Sequence, residues 1–168
     1  MIRDKVLLLI KISKKNNLNI SVAESCTGGF LSSSIIEIPG ASDIFNSGFV
    51  TYSNIAKIKH LGVNKDIVKK FGAVSNETSL AMAKGLYKIS KSNLIVSITG
   101  VAGPGGGTLK NPVGTVYFTF GVRQNKKTIT YSTYRHNFKS KNRVGIQKKS
   151  VNYVLDKFIE IARTYKLD

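Results

Sequence analysis

The chain has 168 residues, 42% of them apolar, and carries 26 Lys and Arg against 9 Asp and Glu, a formal charge of +17. That length suits one well-buried domain, here residues 1–168, and is short for two. A single cysteine excludes an internal disulfide and a four-cysteine zinc site and fits a reducing, cytoplasmic compartment.

The opening stretch Met1-Ile-Arg-Asp-Lys-Val-Leu-Leu-Leu-Ile10 has only a short apolar run and no small-residue cleavage site after it, so no signal peptide is expected. No apolar segment approaches the roughly 20 residues of a membrane helix, and no membrane partner is expected. The positive charge admits nucleic acid or an acidic ligand as partner. However, the lysine pairs (Lys14-Lys15, Lys69-Lys70, Lys126-Lys127, Lys148-Lys149) are scattered and not interleaved with aromatics. Abundant Lys, Ile and Asn together read as nucleotide bias in an AT-rich genome.

In chain order, Val6, Leu7, Leu9, Ile10 and Ser13 with lysines between predict an amphipathic helix over 3–16. Leu18–Val22 reads as a buried strand, turning through Glu24-Ser-Cys-Thr-Gly-Gly29 into a helix to about Glu37, which Pro39-Gly40 stops. Gly48–Tyr52 is a second strand. Asn54 caps a helix ended by Gly62, and Asn64 starts another to Phe71-Gly72. Ser75 caps a longer helix carrying Leu80, Met82, Ala83, Leu86 and Ile89, with Glu77 at its positive end. Leu94–Ile98 is apolar enough for a central strand. A glycine-rich loop over 99–112 follows. Gly114–Phe120 and Thr128–Tyr134 form a hairpin turned at Gln124-Asn-Lys126. The last helix starts at Arg143, with Val144, Val151, Val154, Leu155, Phe158 and Ile159 inward. Helices alternating with strands, plus a hairpin, give an α/β fold: a mixed sheet covered by helices on both faces. In such sheets the loops at the strand carboxyl ends hold the ligand, here 24–29, 52–57 and 99–112.

Ser25 sits where a strand turns sharply into a helix, which exposes a side chain beside free backbone N–H groups. It reads as a covalent nucleophile acting on an amide, or as a plain helix cap. Lys57, buried near Ser25, would be neutral enough to take the serine proton without a histidine, with Tyr52 tuning or relaying it. Otherwise Lys57 is one more solvated lysine. His60 and His136 lie in segments that read as peripheral. Cys26 is a small buried side chain, or part of a Glu24, Cys26 and Lys57 set serving a cysteine amidase; Ser25 is preferred, because Glu24 and Cys26 flank it with the opposite parity.

The N–H groups of Thr27, Gly28 and Gly29 are expected to receive an oxyanion. The loop Ser97-Ile-Thr-Gly-Val-Ala-Gly-Pro-Gly-Gly-Gly-Thr108 lets backbone amides approach an anion, through Gly103, Gly105 and Gly106. It is neither a Walker loop nor a dinucleotide fingerprint. Thr99 ends the strand and is well placed to meet a ligand. Arg143 is either a bidentate phosphate ligand or a solvated charge. No His, Cys and carboxylate set has metal-ligand spacing, and no cofactor is expected.

Five ordered segments then carry a resemblance: Ala23-Glu-Ser-Cys-Thr-Gly-Gly29, Gly48-Phe-Val-Thr-Tyr-Ser-Asn54 with Lys57, Gly72-Ala-Val-Ser75, Ser97-Ile-Thr-Gly-Val-Ala-Gly-Pro104 and Pro112-Val-Gly-Thr-Val116. Together they resemble the carboxyl-terminal domain of the competence-damage-inducible protein family, whose stand-alone bacterial members are nicotinamide-nucleotide amidases. The resemblance implies a three-layer α/β/α fold and a homo-oligomer. It also implies deamidation of nicotinamide mononucleotide to nicotinate mononucleotide and ammonia, a step of pyridine-nucleotide salvage. It implies a Ser/Lys pair at Ser25 and Lys57, further active-site positions at Tyr52 and Thr99, and an arginine at Arg143. The chain departs from the family at Lys139–Arg143, where acidic residues are common, and at Gln147, where a second arginine is common. Two other readings stand beside this one: a catalytically silent pyridine-nucleotide-binding module, and nucleic-acid binding driven by charge.

Overall fold

Among the described residues, five strands form one mixed sheet in a computed structural model that describes residues 1–125, 128–140 and 142–165. The strands are β1 (Ile20–Glu24), β2 (Phe45–Val50), β3 (Leu94–Gly100), β4 (Thr115–Arg123) and β5 (Ile129–Asn137). The helices are α1 (Ile2–Lys15), α2 (Phe30–Ile36), α3 (Asn54–Leu61), α4 (Lys65–Phe71), α5 (Asn76–Ser90) and α6 (Arg143–Thr164), with a 3-10 turn at Ala41–Asp43.

The spatial order is β2-β1-β3-β4-β5. β1 is parallel to both neighbours, with Val22 opposite Gly48 and Val96. β4 and β5 add antiparallel, with Ser97 opposite Thr119 and Thr119 opposite Thr133. The connections leave β1 first to one side and then to the other, so the chain reverses direction beside β1, where α/β sheets open a crevice. The three parallel strands end on one edge. There the Thr51 amide donates to the Glu24 carbonyl and the Ser25 amide to the Ile98 carbonyl, which ties the three ends together.

Strand alternation divides the core. Ile20, Val22, Val96 and Ile98 face α1, α2 and α6, alongside Leu9, Leu31 and Phe158. Ala23 and Ile95 face α3, α4 and α5, alongside Leu61, Met82 and Leu86. This is the expected sandwich of helices on both faces of the sheet. Gly85 of α5 sits where a Cβ would collide with the Leu61 carbonyl oxygen, so the glycine lets α3 lie close against α5.

The element boundaries follow local chemistry. The side chains of Asn64, Ser75 and Asn142 each accept an amide at the start of α4, α5 and α6. Gly62 ends α3 with φ 63°, a left-handed cap that glycine adopts without strain. Some expectations shift. Ser53, not Asn54, caps α3, its oxygen accepting from the Ala56 amide. β1 starts two residues later than the apolar run suggests, and β2 is Phe45–Val50, leaving Thr51 and Tyr52 beyond the ladder. Leu7 and Val144 point outward, because the buried stripes of α1 and α6 run through Val6, Leu9 and Ile10 and through Ile146, Val151 and Val154. The β4–β5 hairpin is present. Lys126, expected in its turn, lies outside the described residues, as does Lys127. Among the described residues no helix is long and apolar enough to cross a membrane.

Candidate active site

Ser25 follows the last residue of β1 and shares the parity of Ala23, so its side chain turns toward the α3–α5 layer. The Gly28 amide donates back to the Ser25 carbonyl and closes a tight turn behind it. Glu24, fully buried, points the other way. Its carboxylate accepts from the amides of Gly29 (3.1 Å), Leu31 (3.1 Å) and Ser32 (2.8 Å) and from the Ser32 hydroxyl (2.7 Å). That places a negative charge on the positive end of α2 and fixes the turn from below. Glu24 therefore holds the scaffold and does not enter the Cys26 and Lys57 set.

Lys57 lies on α3, directly after the β2 end, and is 1% exposed. Its Nζ is 3.0 Å from Ser25 Oγ, 3.0 Å from the Thr51 carbonyl and 3.1 Å from the Tyr52 carbonyl. An ammonium would donate to all three. A neutral amine donates its two hydrogens to the carbonyls and leaves its lone pair for the Ser25 hydroxyl. Burial pushes the Lys57 ammonium below the ordinary lysine value, and a Cys26 thiolate would oppose that. Cys26 is itself buried, and desolvation pushes its thiol up to about 12, so it is neutral near pH 7 and the opposing charge is absent. The same burial leaves Cys26 a poor nucleophile.

These groups open into a cleft of about 300 Å³ lined by Ser25, Cys26, Tyr52, Asn54, Lys57, Ala73, Val74, the stretch from Thr99 to Gly103, Gly105, Gly106 and Arg143. Thr99 is buried and its hydroxyl donates to the Ala73 carbonyl at 2.7 Å. Arg143 opens α6 and bridges the mouth, donating to the Gly103 carbonyl (2.9 Å) and to the Tyr52 hydroxyl (2.9 Å). None of the ion pairs among the described residues involves Arg143, so its charge in the cleft is uncompensated by a carboxylate.

The structure thus brings Ser25, Tyr52, Lys57, Thr99, Gly103, Gly105, Gly106 and Arg143 around one cleft. The Tyr52 ring is 60% exposed and its hydroxyl meets Arg143, while only its backbone carbonyl touches Lys57. Thr27, Gly28 and Gly29 do not line the cleft. The Gly28 and Gly29 amides are taken by Ser25 and Glu24, whereas the amides of Cys26 and Thr27 donate to no backbone carbonyl. His60 is exposed, and His136 stacks at 10° on Phe138 on the β5 face, away from the cleft. Among the described residues no three His, Cys, Asp or Glu side chains gather as metal ligands would.

Three contributors escape a reading of spacing. Asn54 lines the cleft instead of capping α3. Ala73 and Val74, between α4 and α5, supply a fourth wall, which the segment Gly72–Ser75 signalled only through the resemblance. Gln147 reaches from the second turn of α6 to the Cys26 carbonyl.

The profile of the CinA C-terminal domain family matches residues 4–162. A CinA-like protein of Endomicrobium trichonymphae is 48% identical over 142 residues, 84% of this chain and 32% of that protein. A CinA-like protein of Thermotoga neapolitana is 43% identical over 149 residues, 89% of this chain and 35% of that protein. The chain therefore spans about a third of the length of these curated relatives. The crystal structure of the competence/damage inducible protein CihA from Agrobacterium tumefaciens superposes with a TM-score of 0.89 at 36% identity, covering 95% of this chain and 94% of that one. By sequence along nearly its whole length, and by fold, this chain belongs to the CinA C-terminal domain family.

Proposed function

We propose that the protein is an amidase that hydrolyses the carboxamide of nicotinamide mononucleotide to nicotinate mononucleotide and ammonia. The observation that carries this reading is the burial of Lys57 against Ser25, at 3.0 Å and 1% exposure. A desolvated lysine beside a serine hydroxyl is the arrangement of a general base with its nucleophile. The nucleotide part of the substrate rests on the family likeness, supported by Arg143, which none of the described ion pairs includes, and by the glycine-rich wall.

The neutral Lys57 amine takes the Ser25 proton as Oγ forms its bond to the carboxamide carbon. The tetrahedral oxyanion is received by the Cys26 amide in the cleft wall, a donor of a kind typically worth about 3–4 kcal/mol. Lys57 returns the proton to the nitrogen as the C–N bond breaks, and ammonia leaves. Water, deprotonated by Lys57, then attacks the Ser25 ester and releases the carboxylate. The substrate phosphate is held by the Arg143 guanidinium and by amides around Gly103, Gly105 and Gly106. Tyr52 orients Arg143, in place of relaying the proton. No step calls on a metal or a cofactor.

The test is ammonia release from nicotinamide mononucleotide by the purified protein. Steady release with stoichiometric nicotinate mononucleotide is expected. Undetectable release alongside tight binding of the nucleotide would favour a silent binding module in its place.

A further inference from the structure

We infer that Gln147 is a positioning residue that holds the nucleophile turn from the α6 side. The inference rests on the Ser25–Lys57 reading of the site, and not on the identity of the substrate. Gln147 Nε2 donates to the Cys26 carbonyl at 2.9 Å, across 121 residues of chain. On the opposite face of the sheet, Lys57 meets Ser25 Oγ at 3.0 Å. The turn is thus gripped from both helical layers at two adjacent residues.

The Cys26 carbonyl shares one rigid peptide plane with the Thr27 N–H, so fixing the carbonyl fixes the direction of that amide. Cys26 lines the cleft, and its own amide donates to no backbone carbonyl. Gln147 therefore anchors Cys26 from the α6 side, next to the Ser25 amide that is tied to the Ile98 carbonyl. Without the Gln147 hydrogen bond Cys26 loses its anchor to α6, so Ser25 is held less closely against Lys57 and the Cys26 amide less closely against the developing oxyanion. Misplacements of this size cost roughly ten- to a hundredfold in rate.

The experiment uses the full chain and a fluorophosphonate probe, which needs a reactive serine but no nucleotide. Ser25 Oγ displaces fluoride from phosphorus and its proton passes to Lys57, and peptide mass spectrometry follows the adduct. Gln147→Met keeps the length of the side chain and removes the donor; Gln147→Arg restores an N–H donor. Thermal unfolding reports the folded fraction of each variant. Gln147→Met is expected to label Ser25 roughly ten- to a hundredfold more slowly while folded, with its pH profile displaced toward the ordinary lysine value. Gln147→Arg is expected to recover most of the rate. Labelling of Gln147→Met at the wild-type rate, an Arg variant as slow as the Met variant, or no labelling of Ser25 in the wild type would each overturn the inference. A wild type that labels at Ser25 yet releases no ammonia from nicotinamide mononucleotide would contradict the substrate, with the role of Gln147 still decided by the labelling rates.

Discussion

Lys57 Nζ and Ser25 Oγ lie 3.0 Å apart although 32 residues separate them in the chain. Two parallel strands make the meeting possible. β1 delivers Ser25 to the sheet edge, β2 ends beside it, and α3 carries Lys57 back over the same edge. The pair is buried, which lowers the Lys57 pKa, and the consequences can be measured.

The first is pH dependence. Desolvation lowers the Lys57 pKa, so the active neutral form accumulates below the ordinary lysine range. The rate should climb with pH through one acid limb. Stability should move the same way: in that window the unfolded chain binds the extra proton, so unfolding free energy rises with pH. Denaturant titrations of Lys57→Met should lack that rise. Identical pH dependence in variant and wild type would place the lysine in water.

Cys26 gives the opposite slope. Burial raises its thiol from 9.0 to about 12, so the folded state holds a proton that the unfolded state loses across that interval. Stability should fall with rising pH there, by a few kcal/mol at most, and Cys26→Ala should flatten the fall. The same variant should keep most of the ammonia release, and native Cys26 should resist thiol reagents at pH 8. Loss of turnover in Cys26→Ala would return the cysteine to the mechanism.

Arg143 separates binding from chemistry. Its guanidinium spans the Gly103 carbonyl and the Tyr52 hydroxyl and touches neither Ser25 nor Lys57. Arg143→Ala should raise KM about tenfold or more with a smaller effect on kcat, and added salt should raise KM in the wild type. Arg143→Lys should recover little, because an ammonium cannot make the fork. A kcat that collapses at unchanged KM would contradict this division.

Glu24 is a stability prediction. Replacing its carboxylate by the amide of Glu24→Gln sets an N–H group against donors that now meet an acceptor. The loss should be about 2–3 kcal/mol, seen as a fall of several degrees in Tm. An unchanged Tm would mean that the cap contributes nothing to α2.

The architecture was legible in the sequence because local signals agreed with tertiary ones. Asn64, Ser75 and Gly62 mark helix ends by chemistry that acts over three or four residues. Ser25 stands directly after β1, but spacing alone left it open as a helix cap and Lys57, seven residues beyond β2, as a solvated lysine; the two were paired through the family resemblance. Side-chain direction beyond the ladder was harder to read. Tyr52 lies past the last paired residue of β2, where alternation no longer governs, so its ring went to Arg143 instead of the base. The amides of Gly28 and Gly29 looked free in a glycine turn, yet the turn closes on itself and Glu24 folds back to claim one of them. Gln147 meets Cys26 only through the packing of α6 on the sheet, a contact between distant segments that spacing alone does not encode.

The most direct measurement compares ammonia release from nicotinamide mononucleotide by wild type, Ser25→Ala and Lys57→Met, with folding of each checked by circular dichroism. Wild type should turn over, and both variants should fall by roughly a thousandfold or more while remaining folded and able to bind the nucleotide. Ser25→Ala turning over at the wild-type rate would contradict the serine–lysine pair.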